Sequence, residues 1–117
     1  MAESIVLEKA IKFALRIIKL YKHLTETKKE YVLSKQILLS GTYIAKHVKA
    51  ALHSRTRDGF SNEMYAAMQK GLDTELWLLL LGAGEFVTEY QQRSLTNDCV
   101  EMIKLTSSIS KTSYDNE

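Results

Sequence analysis

Apolar residues near the start of the chain fall on two adjacent rows at helical spacing: Leu7, Ile11, Ala14, Ile18, Tyr21 and Ala10, Phe13, Ile17, Leu20, Leu24. Steps of three and four residues bring side chains onto one side of an α-helix, so the pattern predicts a first helix over 4–24, with Ser4 as its N-cap. Two rows make an apolar arc wider than one helix neighbour needs. Lys12, Arg16, Lys19 and His23 line up along its polar edge.

Thr27 and Glu30 have capping-box spacing and predict the start of a second helix over 28–54. Leu33, Ile37, Gly41, Ile44, Val48 and Ala51 form its core stripe, and Gly41 with Ala45 allows another backbone to come close. The opposite stripe is Lys35, Leu39, Thr42, Lys46, Lys49 and His53, and a third, polar row is Gln36, Ser40, Tyr43 and His47. A third helix over 58–83 is predicted with Asp58 as N-cap, running through Phe60, Met64, Ala67, Met68, Gly71 and Leu72 into six consecutive apolar residues, Leu76 to Leu81. A run with no polar face predicts burial on all sides, by the other helices and by another subunit. Nine uncharged residues between Glu75 and Glu85 are too few to span a bilayer. Gly82 to Gly84 ends the helix, with glycine in the left-handed cap conformation.

Thr88 and Gln91 repeat the capping-box spacing and open a fourth helix over 88–112, with Leu95, Cys99, Met102, Leu105 or Thr106, and Ile109 inward. The tail TSYDNE has nothing to bury and is expected to fray. Four helices with short connections predict an all-α, antiparallel up-down-up-down four-helix bundle, one domain over 1–117. The absence of proline and the five glycines agree with uninterrupted helices. Phe13, Ile17, Leu20, Trp77, Leu80 and Leu81 are expected in the core or at an oligomer interface.

Charge adds an asymmetry. Residues 1–57 hold twelve Lys/Arg and four Asp/Glu (+8), whereas residues 58–117 hold four and ten (−6), within a net charge of +2. Lys12, Arg16, Lys19, Lys46 and Lys49, with Arg55 and Arg57 at one end, form rows able to track the phosphates of RNA or DNA; the bland reading is a solvated face balanced by the acidic half. Cys99 is the only cysteine, which excludes an intrachain disulfide and suits an inert buried thiol in a reducing compartment. Glu3, Glu8 and Lys9 interrupt the N-terminal apolar residues, so no secretory signal is expected and the protein is placed in the cytoplasm, with no membrane partner.

Catalytic signatures are scarce. Three residues before His23, His47 and His53 stand Leu20, Ile44 and Ala50, so the Glu-x-x-His pair of di-iron bundles is missing, and His47 and His53 are not on one helical face. No phosphate loop or nucleophile elbow occurs. No enzyme activity, metal or cofactor is expected. The alternative reading places small-molecule binding or catalysis in a bundle pocket around Glu75, Gln36 and His47, against a purely structural role for Glu75.

The segments LSKQILLSGTYIAKHVKAA (Leu33 to Ala51), DTELWLLLL (Asp73 to Leu81) and LTSSISKT (Leu105 to Thr112), with FALRIIKLY in the first helix, resemble the bacterial four-helix-bundle protein family. That family includes proteins encoded in intervening sequences of large-subunit ribosomal RNA genes and, more distantly, the retroelement accessory variability protein. The resemblance implies an up-down bundle that assembles into a homopentameric ring without enzymatic activity. For the accessory variability branch it also implies binding to a reverse transcriptase and to nucleic acid through a basic surface. Gln36, Ser40, Glu75 and Trp77 match the family pattern; Leu39, His47, Ala50 and Leu76 stand where members usually have arginine, asparagine, glutamate and an aromatic. The missing arginine argues against carrying a nucleic-acid role to the middle of the second helix.

Overall fold

The computed structural model describes the backbone of residues 2–115 and the side chains of residues 5–112. Four helices, α1 (Ala2–Glu26), α2 (Leu33–Leu52), α3 (Arg57–Ala83) and α4 (Glu89–Asp115), form a rod of 47 × 22 × 20 Å. Each helix packs on the next and α4 returns to α1, so α1 and α3 are diagonal, as in the up-down-up-down bundle that the short connections predict. The α1–α4 seam is by far the sparsest of the four.

The inner row of α1 (Ala10, Phe13, Ile17, Leu20, Leu24) and the stripe of α2 from Ile37 to Ala51 are buried and meet at Gly41. A Cβ on Gly41 would sit 2.8 Å from Ile17 Cγ1, so glycine sets how closely α1 and α2 approach. Gly71 does the same for α3 and α4, where a Cβ would lie 2.7 Å from Ile103 Cγ1, and the Cys99 thiol donates to the Gly71 carbonyl at 3.3 Å. Buried hydroxyls fix register: Thr74 donates to Ser40 across α2–α3 at 2.8 Å, and Ser61 and Ser110 donate to each other's carbonyls across α3–α4 at 3.0 Å.

The helix ends correct several sequence expectations. α1 begins at Ala2, so Ser4 lies inside the helix rather than at its N-cap position. Thr27 and Glu30 do not form a capping box. The backbone N–H groups of Thr27 and Lys28 both bond the His23 carbonyl, that of Glu30 bonds Leu24, and Lys29 turns the chain at φ 56°. Glu30 instead accepts from the backbone N–H of Val32, Leu33 and Ser34, capping α2 by its carboxylate alone, and α2 starts five residues later than the spacing suggests.

Thr56, not Asp58, caps α3: its hydroxyl accepts from Gly59 N–H at 2.9 Å while Asp58 sits in the first turn. At the other end Gly84 is right-handed and Glu85 takes the left-handed conformation at φ 66°, with the Phe86 N–H reaching the Leu81 carbonyl at 2.9 Å. The Thr88–Gln91 box forms as its spacing predicts, with reciprocal bonds of 2.8 and 3.1 Å. α4 continues through Thr112 to Asp115, where fraying was expected; Asn116 and Glu117 lie outside the described residues.

The largest correction concerns the leucine run. Leu78 and Leu81 are fully buried and Trp77 packs partly against the core, but Leu76, Leu79 and Leu80 face outward. Three neighbours in a square bundle cannot surround one helix, so an all-apolar turn leaves an apolar face uncovered.

Candidate functional surfaces

Two apolar ridges lie on diagonal helices. On α1, Ile11, Leu15 and Ile18 are exposed at spacings of four and three, Leu15 by 60%. At about 100° per residue they sit roughly 100–160° beyond core-facing Ile17, on the α2 side of α1. On α3, Leu72, Leu76, Leu79 and Leu80 are exposed, Leu79 by 56%. Exposed Lys12, Lys19 and Lys22 flank the first ridge, and Asp73 and half-buried Glu75 flank the second.

These ridges divide the residues proposed from the sequence. Phe13, Ile17, Leu20 and Leu81 are core; Trp77 is half-buried and Leu80 belongs to the α3 ridge. The basic residues do not form one track. Lys12 and Lys19 lie beyond Leu15, on the opposite side of the ridge from Lys46 and Lys49, with Arg55 and Arg57 at the α2–α3 turn. Arg16 is engaged: its Nη1 donates to Asp98 at 2.7 Å and to the Ser94 carbonyl at 3.3 Å, and its Nη2 to Ser94 Oγ at 3.0 Å. Lys46 stands 4.4 Å over the Tyr43 ring. The Lys9–Glu101 pair, 2.8 Å, also crosses the α1–α4 seam, and the Glu101 carboxylate holds the Lys9 ammonium above its ordinary value.

Glu75, Gln36 and His47 are not gathered. His47 Nδ1 meets Glu63 at 3.1 Å, and Glu63 is twelve residues from Glu75, about 18 Å along the helix axis. Glu75 faces α4, where its charge adds to the effect of burial in pushing the Cys99 thiol up to about 12, so that sulfur stays protonated and unreactive. Among the described residues no three His, Cys, Asp or Glu side chains are placed to hold a metal, and no helix is long and apolar enough to cross a membrane.

Sequence reasoning missed a cleft of about 440 Å³ in the sparse α1–α4 seam, lined by Arg16, Lys19, Leu20, His23, Tyr90, Gln91, Ser94 and Leu95. Tyr90 is 77% exposed, an aromatic outside the apolar stripe of α4, and that placement was the available signal.

The comparisons agree with this fold. The family model described as 23S rRNA-intervening sequence protein matches residues 2–108. A solved structure of a protein of unknown function from the S23 ribosomal protein family of Bacteroides thetaiotaomicron is 41% identical and superposes with a TM-score of 0.92, covering 95% of this chain and 99% of that one. No curated protein matches. With a family model that spans nearly the whole sequence and a solved relative of the same fold, the chain belongs to the 23S rRNA-intervening sequence protein family.

Proposed function

We propose that this protein is a non-enzymatic assembly module that joins copies of itself head to tail, the α1 ridge of one copy against the α3 ridge of the next. The observation that carries this reading is the pair of exposed apolar ridges on diagonal helices. Seven half-exposed Leu and Ile side chains, each gaining about 1 kcal/mol on full burial, offer about 7 kcal/mol per contact. Association costs about 4–15 kcal/mol, so one contact is weak. A closed ring, in which every copy uses both ridges, is the favoured outcome of such a contact, and a pentamer is the size the family resemblance implies. The bundle then serves as a scaffold whose ring repeats its basic residues and presents them to a partner such as a ribonucleoprotein or a nucleic-acid enzyme.

Sedimentation equilibrium at micromolar concentration tests the reading. The wild type is expected as a closed oligomer and the Leu76→Glu, Leu79→Glu variant as a folded monomer by circular dichroism. A wild type that sediments only as the 13.4 kDa monomer removes the proposal.

A further inference from the structure

The geometry points to a binding site for a nucleoside monophosphate unit in the α1–α4 cleft, with the base against Tyr90 and the phosphate held by Arg16, Lys19 and His23. This inference does not depend on self-assembly, because the cleft opens on the α4 side of α1 and the ridge lies on the α2 side.

The cleft has the parts such a ligand needs. Its floor is apolar, made by Leu20 and Leu95, both nearly buried. One wall is Tyr90, whose ring carries no other ring or cation among the described residues. An exposed tyrosine beside an apolar floor offers a face on which any base can stack. The opposite rim carries the Lys19 ammonium and, one helical turn on, the His23 imidazole, both able to donate to a phosphate.

Arg16 supplies the fixed element. Its bonds to Asp98 and Ser94 use three of five N–H donors, leaving Nε–H and one Nη2 hydrogen for an incoming anion. An arginine already held in place loses little freedom on binding, and its planar group suits phosphate. Asp98 offsets one positive charge, so selectivity rests on Lys19, His23 and the stacking surface together. The size fits: about 440 Å³ lies within the usual range for small-molecule sites, and a second cleft of about 500 Å³ that shares His23 and Gln91 adds Lys28 but also Glu85 and Glu89, so the phosphate belongs in the first. The cleft is open to solvent along the seam, so the unit can enter either as a free nucleotide or as part of a single strand.

The test is a titration followed by ¹H–¹⁵N NMR, using AMP, inorganic phosphate and a five-residue single-stranded oligoadenylate, on wild type, Tyr90→Ala and Lys19→Ala. AMP is expected to shift the amides of Tyr90, Gln91 and Ser94 and to bind at least tenfold more tightly than phosphate. Tyr90→Ala is expected to weaken AMP about tenfold or more while leaving phosphate unchanged, a loss in the range of base–aromatic stacking. Lys19→Ala is expected to weaken both. An oligonucleotide at least tenfold tighter than AMP at the same amides assigns the site to single strands, and equal affinity assigns it to the free nucleotide. No shift at these amides at millimolar AMP, or AMP affinity unchanged in Tyr90→Ala, overturns the inference.

Discussion

Replacing Gly41 by alanine tests whether the α1–α2 distance is set by the absence of one carbon. A Cβ there would lie 2.8 and 2.9 Å from Ile17 Cγ1 and Cγ2 and 3.2 Å from Ile17 Cβ. These are atoms of a fully buried branched side chain near its own backbone, so relief requires the two helices to separate. Overpacking of this kind costs about 1–3 kcal/mol, whereas alanine regains about 1 kcal/mol of helix propensity. The expected net effect of Gly41→Ala is a loss of about 0–2 kcal/mol, read as a lower urea midpoint with unchanged slope. Gly82 is the control: there the Cβ would meet the Gln92 amide, the far end of a flexible chain, so Gly82→Ala is expected to be neutral or stabilising by up to about 1 kcal/mol. Ile17→Ala alone should cost about 2–5 kcal/mol, and adding Gly41→Ala to it should be stabilising, because both clashing carbons are gone. Stabilisation of the wild-type background by Gly41→Ala to the same extent as at Gly82 would refute the close-approach argument.

The caps give two further predictions. Burial of Glu30 works against its charged form, but the N–H groups of Leu33, Ser34 and Val32 outweigh that effect and hold the carboxyl below its ordinary value of 4.5. A depressed folded value means stability present above about pH 4.5 and lost as pH falls through the lower folded value. Glu30→Gln is therefore expected to lower the melting temperature at pH 7 and to converge with the wild type below that window; a constant difference from pH 7 to 3 refutes the assignment. Thr56→Ala removes the acceptor for Gly59 N–H and is expected to cost about 0.5–2 kcal/mol in urea unfolding, more than Asp58→Ala. The reverse order would return the cap to Asp58.

The fold was legible because each helix carries its own period and a square of four antiparallel helices has few alternatives. The stripe from Ile37 to Ala51 and the small residue at Gly41 needed only α2's own spacing to be read. The ends were less legible for a local reason. Thr27–Glu30 and Thr88–Gln91 present the same spacing, yet the His23 and Leu24 carbonyls at the end of α1 take the Thr27, Lys28 and Glu30 N–H groups, and Thr27 closes α1 from just past Glu26. Nothing within four residues distinguishes the two cases. The last two turns of α3 offered no face to read, because Leu76 to Leu81 is apolar in every direction, and only the position of its neighbours decides which leucines remain outside. Surface relations were hidden for the same reason. Helical spacing orders Lys12 and Lys19 within α1 and Lys46 and Lys49 within α2, but that Leu15 and its neighbours stand between the two rows depends on how the helices pack. The cleft joins α1 residues 16–23 to α4 residues 90–95, and the two sides meet only in the folded bundle.

The proposed head-to-tail assembly and a symmetric dimer differ in the charges that they bring together. Pairing α1 with α1 sets Lys12, Lys19 and Lys22 against themselves, and pairing α3 with α3 does the same for Asp73 and Glu75. Like charges facing across an interface cost several kcal/mol, whereas α1 against α3 opposes the two signs. Lys12→Glu with Lys22→Glu is therefore expected to weaken assembly about 10- to 100-fold, each factor of ten corresponding to about 1.4 kcal/mol. Adding Asp73→Lys and Glu75→Lys to the same chain restores opposite signs at every α1–α3 contact, and the fourfold variant is expected to assemble again. Sedimentation velocity over a dilution series, at about 50 and 300 mM salt, reads both effects, and salt is expected to narrow the difference because exposed charges are screened. A symmetric dimer predicts otherwise: an α3–α3 pair is untouched by the first variant, and an α1–α1 pair, its patch changed from three lysines to two glutamates and Lys19, loses repulsion, so neither is weakened. Assembly indifferent to the first substitution, or not restored by the second, refutes the head-to-tail contact.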